Sequence, residues 1–242
     1  MAKFVMDQYK QLLETIDEQL LDNPVWSALT TVHASWAEGT SHAKRYRREF
    51  LSFIAYDHNV PERLADLQPW INEGESFFLI GKLPELPANW QPVFELPCAQ
   101  MVLRQKVDIP AQTPADIAMM TAADAADMSD LTGRVQPGYY QPDTRLLGTY
   151  YGIRQEGRLV AMAGERMRMK GFTELSAIVT DPAYTGRGYA QQLITRLCAQ
   201  HTAEGITSML HVSLANERAI RLYEHMGFVT RREIVFTKFV KG

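Results

Sequence analysis

Two glycines that stand two positions apart, Gly186 and Gly188, constrain the fold of this chain more than any other feature of its sequence. They follow a run with the pattern of a strand, residues 172–180, and precede a run with the spacing of a helix, residues 190–203. Such glycines let the backbone turn tightly with its amides on one side, and the next helix presents unpaired N–H groups to the same point. The turn therefore predicts an anion site, for which a diphosphate is a natural guest.

The spacing of small residues in this turn excludes a Rossmann dinucleotide site. That site needs Gly-x-Gly-x-x-Gly and an acidic residue roughly 20 positions further on. Here the third small residue, Ala190, comes two positions after Gly188.

A second motif is a helix predicted over residues 217–226, which the sequence brackets at both ends. Asn216 is a good N-cap residue and Gly227 a good residue for the position after the helix. Asn216 and Tyr223 are seven residues apart, about two turns, so they share one face. Taken alone, this is a well-capped amphipathic helix in which Tyr223 is a core tyrosine whose hydroxyl finds a polar partner.

The second half of the chain alternates between strand and helix patterns. Strands are predicted at 117–120, 148–155, 159–168, 172–180, 207–213 and 233–240, and helices at 122–131, 190–203 and 217–226. The pattern predicts an α/β class with a mixed sheet and one long hairpin, whose turn lies at Glu156-Gly157.

The first half carries no Gly-x-Gly turn. Its periodicity predicts helices over 5–20, 24–38 and 43–56 and a buried strand over 76–81. Six of the chain's 12 prolines lie between Pro84 and Pro114, which indicates turns and an edge strand around 99–107. We expect a boundary there, which divides the chain into units 1–112 and 113–242.

The two motifs together, in this order, resemble the GCN5-related N-acetyltransferase (GNAT) superfamily over about residues 114–242. The carrying residues are Thr185-Gly-Arg-Gly188-Tyr-Ala190 and Asn216-x-x-Ala219-x-x-x-Tyr223-x-x-x-Gly227-Phe. Thr185 stands where the family usually has Gln or Arg, which removes one side chain from the rim of the diphosphate site and leaves the backbone donors. The resemblance implies the GNAT acyl-CoA N-acyltransferase fold and acetyl-CoA as cosubstrate.

The resemblance also implies the binding positions for coenzyme A (CoA). They are Ile178, Val179, Thr180, Thr185, Gly186, Arg187, Gly188, Tyr189, Ala190, Asn216, Ala219 and Tyr223. The strand end would pair with the pantetheine arm and the amides from Arg187 to Ala190 would hold the pyrophosphate. Asn216 would bond the pantetheine near the thioester, and Ala219 would leave room beside it.

The implied chemistry is direct transfer to an amine. Tyr223 would protonate the departing thiolate, since a tyrosine pKa of about 10 lies close to a thiol pKa of about 8.5. Glu174, on the strand over 172–180, would take the amine proton, as a glutamate on this strand does in many family members. The alternative bases are a water relay and His211. Without a catalytic role, Glu174 would be an exposed carboxylate at the strand end and His211 a core histidine.

The length and the position of the boundary are similar to two-lobed GNAT members of the glycine acyltransferase-like kind. That similarity implies a degenerate GNAT-like first lobe, and a separate interaction module is the alternative. The whole chain is thus expected to be an N-acetyltransferase acting on a primary amine of a small molecule or peptide. The competing hypothesis is a catalytically silent CoA-binding sensor or pseudoenzyme.

Composition narrows the partners. Lys and Arg number 25 against 28 Asp and Glu, a net charge of −3, which makes nucleic acid a poor partner. No apolar run reaches the roughly 18 residues of a membrane span. Cys98 and Cys198 lack metal-ligand spacing, so no metal is expected, and buried thiols indicate a cytoplasmic protein. A monomer and a homodimer both remain open.

Overall fold

The computed structural model describes residues 17–105, 115–138 and 140–242. Its strands are Ala37–Gly39 (β1), Ala43–Tyr46 (β2), Phe53–Tyr56 (β3), Ser76–Ile80 (β4), Trp90–Leu103 (β5), Ile117–Met119 (β6), Tyr150–Gln155 (β7), Arg158–Met169 (β8), Phe172–Thr180 (β9), Thr207–Ser213 (β10) and Phe228–Lys241 (β11). Its α-helices are Pro24–Leu29 (α1), Ala125–Val135 (α2), Tyr189–Ala203 (α3) and Glu217–His225 (α4). Short 3₁₀ helices span Glu18–Asp22, Ala34–Trp36, Pro61–Trp70, Ala122–Asp124, Thr144–Leu147 and Pro182–Tyr184.

All of these strands belong to one sheet. Their order across it is β1-β2-β3-β4-β11-β5-β10-β9-β8-β7-β6. Neighbours run antiparallel except β3 with β4 and β9 with β10, which are parallel. The last strand, β11, lies between β4 and β5, so the two halves of the sequence are joined in a single mixed α/β sheet.

Within the proline-rich segment, residues 90–103 form one long strand, so the prediction of an edge strand around 99–107 was wrong for the described residues. β5 pairs with β11 along nearly its whole length and with β10 through residues 98–102. Pro92 and Pro97 lie before the stretch that β10 accompanies, where one side of β5 is open and a missing N–H is tolerated. The predicted boundary at 112/113 lies outside the described residues and stays a prediction.

The predicted helix over 43–56 is also wrong, because these residues form β2 and β3. All four residues of β3 are buried, and a continuous apolar run of this kind has the same appearance in a strand and in a buried helix. The predicted helix over 24–38 is confirmed only for α1. Of the predicted first helix, residues 5–16 lie outside the described residues.

In the second half the predicted elements are confirmed to within a few residues. β10 has the predicted bounds, and Gly205 and Gly227 end their helices with left-handed φ values of 71° and 90°. β11 begins five residues earlier than predicted, at Phe228. A register shift between Thr230 and Arg232 interrupts the alternation on which the prediction depended.

The parallel strands β9 and β10 diverge. They pair only through residues 172–174 and 207–209. Beyond that point β9 carries a bulge around Ala177, whose φ is 49°, and its register with β8 shifts there. A bulge bends the strand that carries it. A cavity of about 280 Å³ lies beside the diverging ends.

Helices from both halves cover the second half of the sheet. α3 buries Leu193, Ile194 and Leu197 in one core cluster. α1, from the first half, packs against β3 and β8. In the ranges that the structure describes, no helix has both the length and the apolar character needed to cross a membrane.

Gly164 in β8 provides a test of this packing, because a Cβ there would collide with the ring of Tyr150, which is buried. We expect Gly164→Ala to lower the free energy of unfolding by about 2 kcal/mol, since a filled core resists extra volume. Urea unfolding at neutral pH measures this change. Gly133→Ala in α2 is the control: its Cβ would meet nothing within 4 Å, so stability should be unchanged or rise by up to about 1 kcal/mol. Equal effects of the two variants would contradict the packing at Tyr150.

Candidate active site

The glycine turn has the geometry that its sequence predicts. Gly186 and Gly188 both have left-handed φ values, 79° and 71°, which favour glycine. Gly188 is the N-cap residue of α3, and no side chain caps that helix. The first amides of α3 are therefore left for another acceptor, as an anion site requires. The Thr185 hydroxyl donates to the Pro182 carbonyl at 3.1 Å, and the Arg187 guanidinium lies over the Tyr184 ring at 4.8 Å.

The end of β9 offers a free backbone edge. Val179 and Thr180 pair with β8 on one side, while the side toward β10 is unpaired from residue 175 onward. Ile178 lines the cavity between the diverging strands. An extended ligand can pair with an edge of this kind as an additional strand.

The capped helix α4 presents Asn216 and Tyr223 to the same cavity, as their spacing predicts. Asn216 Oδ1 accepts a hydrogen bond from the Ala219 N–H at 3.2 Å, which leaves the amide nitrogen of Asn216 for a ligand. Tyr223 is only 8% exposed, and burial raises its pKa to about 12. Its hydroxyl therefore stays protonated at neutral pH.

Glu174 is completely buried and held by two partners. Arg166 donates to both carboxylate oxygens, from Nε at 2.8 Å and from Nη2 at 2.6 Å, and His211 Nδ1 lies 2.7 Å from Oε1. Burial alone would raise the pKa of Glu174, but the Arg166 charge and these hydrogen bonds outweigh it and lower the pKa to about 2. Arg166 and His211 line the cavity, whereas Glu174 does not.

Gln100 fixes the protonation of His211. Its Nε2 lies 3.1 Å from His211 Nε2 and donates to the Leu21 carbonyl at 2.8 Å, while its Oε1 accepts from Arg231 at 2.9 Å. If the side-chain amide of Gln100 were reversed, its oxygen would face the Leu21 carbonyl oxygen and its NH2 group would face the Arg231 guanidinium, which is also a donor. Gln100 Nε2 is thus a donor, so His211 Nε2 accepts and its Nδ1–H donates to Glu174. Both ring nitrogens of a neutral histidine are occupied.

From the sequence, neither Gln100 nor Arg166 was assigned to the site. Arg166 is only 13% exposed, with the Phe53 ring 5.0 Å and the Phe236 ring 5.9 Å from its guanidinium carbon. These partners come from distant segments, and no local spacing signals them. The alternation of Arg166 with Arg168 only places both on one face.

Both halves of the chain line the cavity. The lining residues from the first half are Leu51, Ser52, Phe53, Phe78, Leu96 and Cys98. Those from the second half are Thr132, Gln136, Gly138, Tyr140, Gln141, Thr144, Arg166, Leu175, Ser176, Ala177, Ile178, Leu210, His211, Val212, Ser213, Asn216, Tyr223 and Phe236. The site is thus an interface pocket, which is a common location for small-molecule sites.

Cysteine and metal chemistry add nothing further to this site. Cys98 and Cys198 are both buried and no disulfide joins them. Burial raises the pKa of the Cys98 thiol to about 11. Within residues 17–105, 115–138 and 140–242, no group of three or more His, Cys, Asp or Glu side chains could hold a metal ion.

Comparison with known proteins gives the family. The family model for FR47-like proteins matches residues 150–237. A solved structure of a GNAT-family protein from Novosphingobium aromaticivorans superposes with a TM-score of 0.80 at 31% identity, covering 92% of this chain and 98% of that one. A GCN5-related N-acetyltransferase from Kribbella flavida shares the fold, with a TM-score of 0.58 at 15% identity over 94% of this chain and 96% of that one.

A curated relative is similar over a shorter stretch. The mycothiol acetyltransferase of Acidimicrobium ferrooxidans is 31% identical over 116 residues, which are 45% of this chain and 35% of that protein. The chain thus spans about a third of the length of this relative. On its 31% identity to the Novosphingobium aromaticivorans protein, over 92% of this chain, the protein belongs to the GNAT family of acetyltransferases.

The buried Arg166–Glu174 pair makes a stability prediction. Glu174→Gln leaves the Arg166 charge without its counter-ion, so we expect it to lower the free energy of unfolding at neutral pH by about 3 kcal/mol or more. Because the folded-state pKa of Glu174 lies below its ordinary value of 4.5, the pair stabilises fully above about pH 4.5 and loses its contribution as the pH falls toward 2. The difference between wild type and variant should shrink over that interval in urea unfolding experiments.

Glu217→Gln is the matched control. Glu217 pairs with Arg221 at 3.0 Å on the surface of α4, where both side chains are mostly exposed. Removing an exposed pair should leave the free energy of unfolding almost unchanged. A Glu174→Gln variant as stable as Glu217→Gln would show that Arg166 does not depend on Glu174.

Proposed function

We propose that the protein transfers an acetyl group from acetyl-CoA directly to the primary amine of a small molecule or peptide. The observation that carries this proposal is the divergence of β9 from β10 beside a cavity lined by Asn216 and Tyr223. Such a gap gives a thioester a path to a proton donor that burial keeps protonated.

We assign each part of acetyl-CoA to a surface that the structure describes. The pantetheine arm pairs with the open edge of β9 from Ile178 to Thr180, and the nitrogen of the Asn216 side chain donates to it. The pyrophosphate accepts from amides between Arg187 and Ala190 at the uncapped start of α3. The Thr185 hydroxyl donates to the Pro182 carbonyl and is shorter than the Gln or Arg side chain that the family usually has at this position. The backbone amides therefore make the contact with the pyrophosphate.

Tyr223 acts as the general acid. As the amine attacks the carbonyl carbon, the bond from that carbon to sulfur breaks, and the sulfur leaves as a thiolate. The Tyr223 hydroxyl gives its proton to that sulfur. Although its pKa of about 12 in the free protein makes Tyr223 a weaker acid than an exposed tyrosine, a thiolate formed in a water-poor cavity is a stronger base than one in water.

The base of the reaction is best supplied through water. Glu174 with a pKa of about 2 is a weak proton acceptor, and both ring nitrogens of His211 are engaged. Arg166 on the cavity wall opposes a second positive charge and so favours the neutral amine. Water in the cavity then accepts the proton lost on attack, and Glu174 acts as a positioning residue that holds Arg166 and His211.

The comparisons support acetyl as the transferred group. The relative from Acidimicrobium ferrooxidans is named as an acetyltransferase, and the family shares this chemistry. The mycothiol in the name of that protein is not extended to this chain, because the match covers about a third of that protein.

Tyr223→Phe tests the assignment of the acid. We expect kcat to fall roughly a hundredfold, the size of a lost general acid, while the Kd for CoA stays within about twofold. Thiol release from acetyl-CoA with a panel of primary amines measures kcat, and calorimetry measures the Kd for CoA. Tyr151→Phe is the control. The Tyr151 hydroxyl donates to Gln200 Oε1 at 2.9 Å and does not line the cavity, so the kcat of this variant should equal that of wild type.

An unchanged kcat in Tyr223→Phe would remove Tyr223 from the chemistry. Wild-type protein that binds CoA but releases no thiol with any amine would instead favour the sensor hypothesis.

A further inference from the structure

We infer that the acceptor is a primary amine on an apolar body, aromatic or branched, that carries no second positive charge. This inference rests on the proposed function, because it identifies the substrate class of the same cavity. Two independent properties of the cavity wall carry it: its apolar surface and its charge.

The first half of the chain supplies most of an apolar wall, which Phe236 from the second half extends. Phe53 and Phe78 meet edge to face at 6.0 Å, Phe53 and Phe236 at 6.1 Å, and Leu51 and Leu96 complete the surface. A flat or branched apolar group buried here gains about 25 cal/mol for each Å² removed from water. A polar or strongly hydrated body gains nothing from these side chains.

The charges on the wall oppose a polycation. Among the described lining residues, Arg166 is the only Arg or Lys, and no Asp or Glu lines the cavity. The carboxylate of Glu174, which binds the lining residue Arg166, has both oxygens engaged by that arginine. A second ammonium would lose its hydration without gaining a counter-ion and would be repelled by Arg166.

The polar lining groups agree with an uncharged body. Beside Arg166, His211, Asn216 and Tyr223, the polar groups are hydroxyls and amides, from Ser52, Thr132, Gln136, Tyr140, Gln141, Thr144, Ser176 and Ser213. Such groups can orient one amine nitrogen by hydrogen bonds, but none offers the negative charge that diamines and aminoglycosides need.

The test compares two amines that differ at one end. Hexylamine and cadaverine have nearly the same length, with a terminal methyl in one and an ammonium in the other. With acetyl-CoA at saturation, thiol release gives kcat/KM for each. We expect wild type to prefer hexylamine by roughly tenfold or more, the scale at which a pocket rejects a group that it cannot satisfy. Phenethylamine should be at least as good a substrate as hexylamine.

A carboxylate placed on the apolar wall should remove this preference. Leu96→Asp puts a negative charge on the part of β5 that lines the cavity, so the ratio of hexylamine to cadaverine should fall at least tenfold. Val93→Asp is the control, because it makes the same substitution on the same strand at a residue that is 54% exposed and does not line the cavity. Its ratio should match wild type.

The outcomes separate the two proposals. Cadaverine acetylated by wild type as well as hexylamine, or better, overturns the inference and leaves the acetyltransferase intact. CoA binding by calorimetry with no turnover of hexylamine, phenethylamine or cadaverine also overturns the acceptor class, while the donor site stands. Absence of CoA binding overturns the proposed function and the inference with it.

Discussion

The pairing of β5 with β10 sets Gln100 directly opposite His211, and the polar chemistry of the site depends on that register. Gln100 orients the imidazole, the imidazole and Arg166 hold Glu174, and Arg166 forms part of the cavity wall. A shift of one residue would turn Gln100 to the other face of the sheet. His211 would then lose the donor that keeps its Nε2 unprotonated.

Such a network is stable only when every member has its partners. Arg166 and Glu174 are buried or nearly so, and the cost of removing two charges from water is offset only by good geometry. Two hydrogen bonds from Arg166 to the carboxylate and two aromatic rings beside the guanidinium provide that geometry. The network therefore contributes more to one defined arrangement of the cavity than to net stability.

The glycine turn and the capped helix, the part of the site proposed to bind acetyl-CoA, could be predicted from sequence because their signals are local. The backbone is left-handed at Gly186, Gly188 and Gly227, a conformation that favours glycine, and Asn216 caps α4, the helix that follows it. Each of these constraints acts within a few residues, and the structure shows each in the predicted place. The predicted contacts of these residues with CoA remain predictions, since they depend on a ligand.

The acceptor side could not be predicted in the same way. Strand β3 has no alternation because both of its faces are buried, and β5 contains the prolines that indicated turns. The local sequence around Arg166 is typical of an exposed strand cation, because Phe53, whose ring packs against its guanidinium, is more than a hundred residues away in the chain. These features follow from how the two halves meet, and no single window of sequence carries that information.

The same division has a consequence for specificity. The surfaces proposed to bind acetyl-CoA lie on β9, α3 and α4, all from the second half, whereas Leu51, Phe53, Phe78 and Leu96 come from the first. Substitutions on the first half can therefore reshape the acceptor wall without touching the glycine turn or Tyr223. The limit is β5, because this strand contributes both Leu96 to the wall and Gln100 to the His211 network. Changes of acceptor should thus be tolerated before residue 98, where β10 does not yet accompany β5, and resisted beyond it.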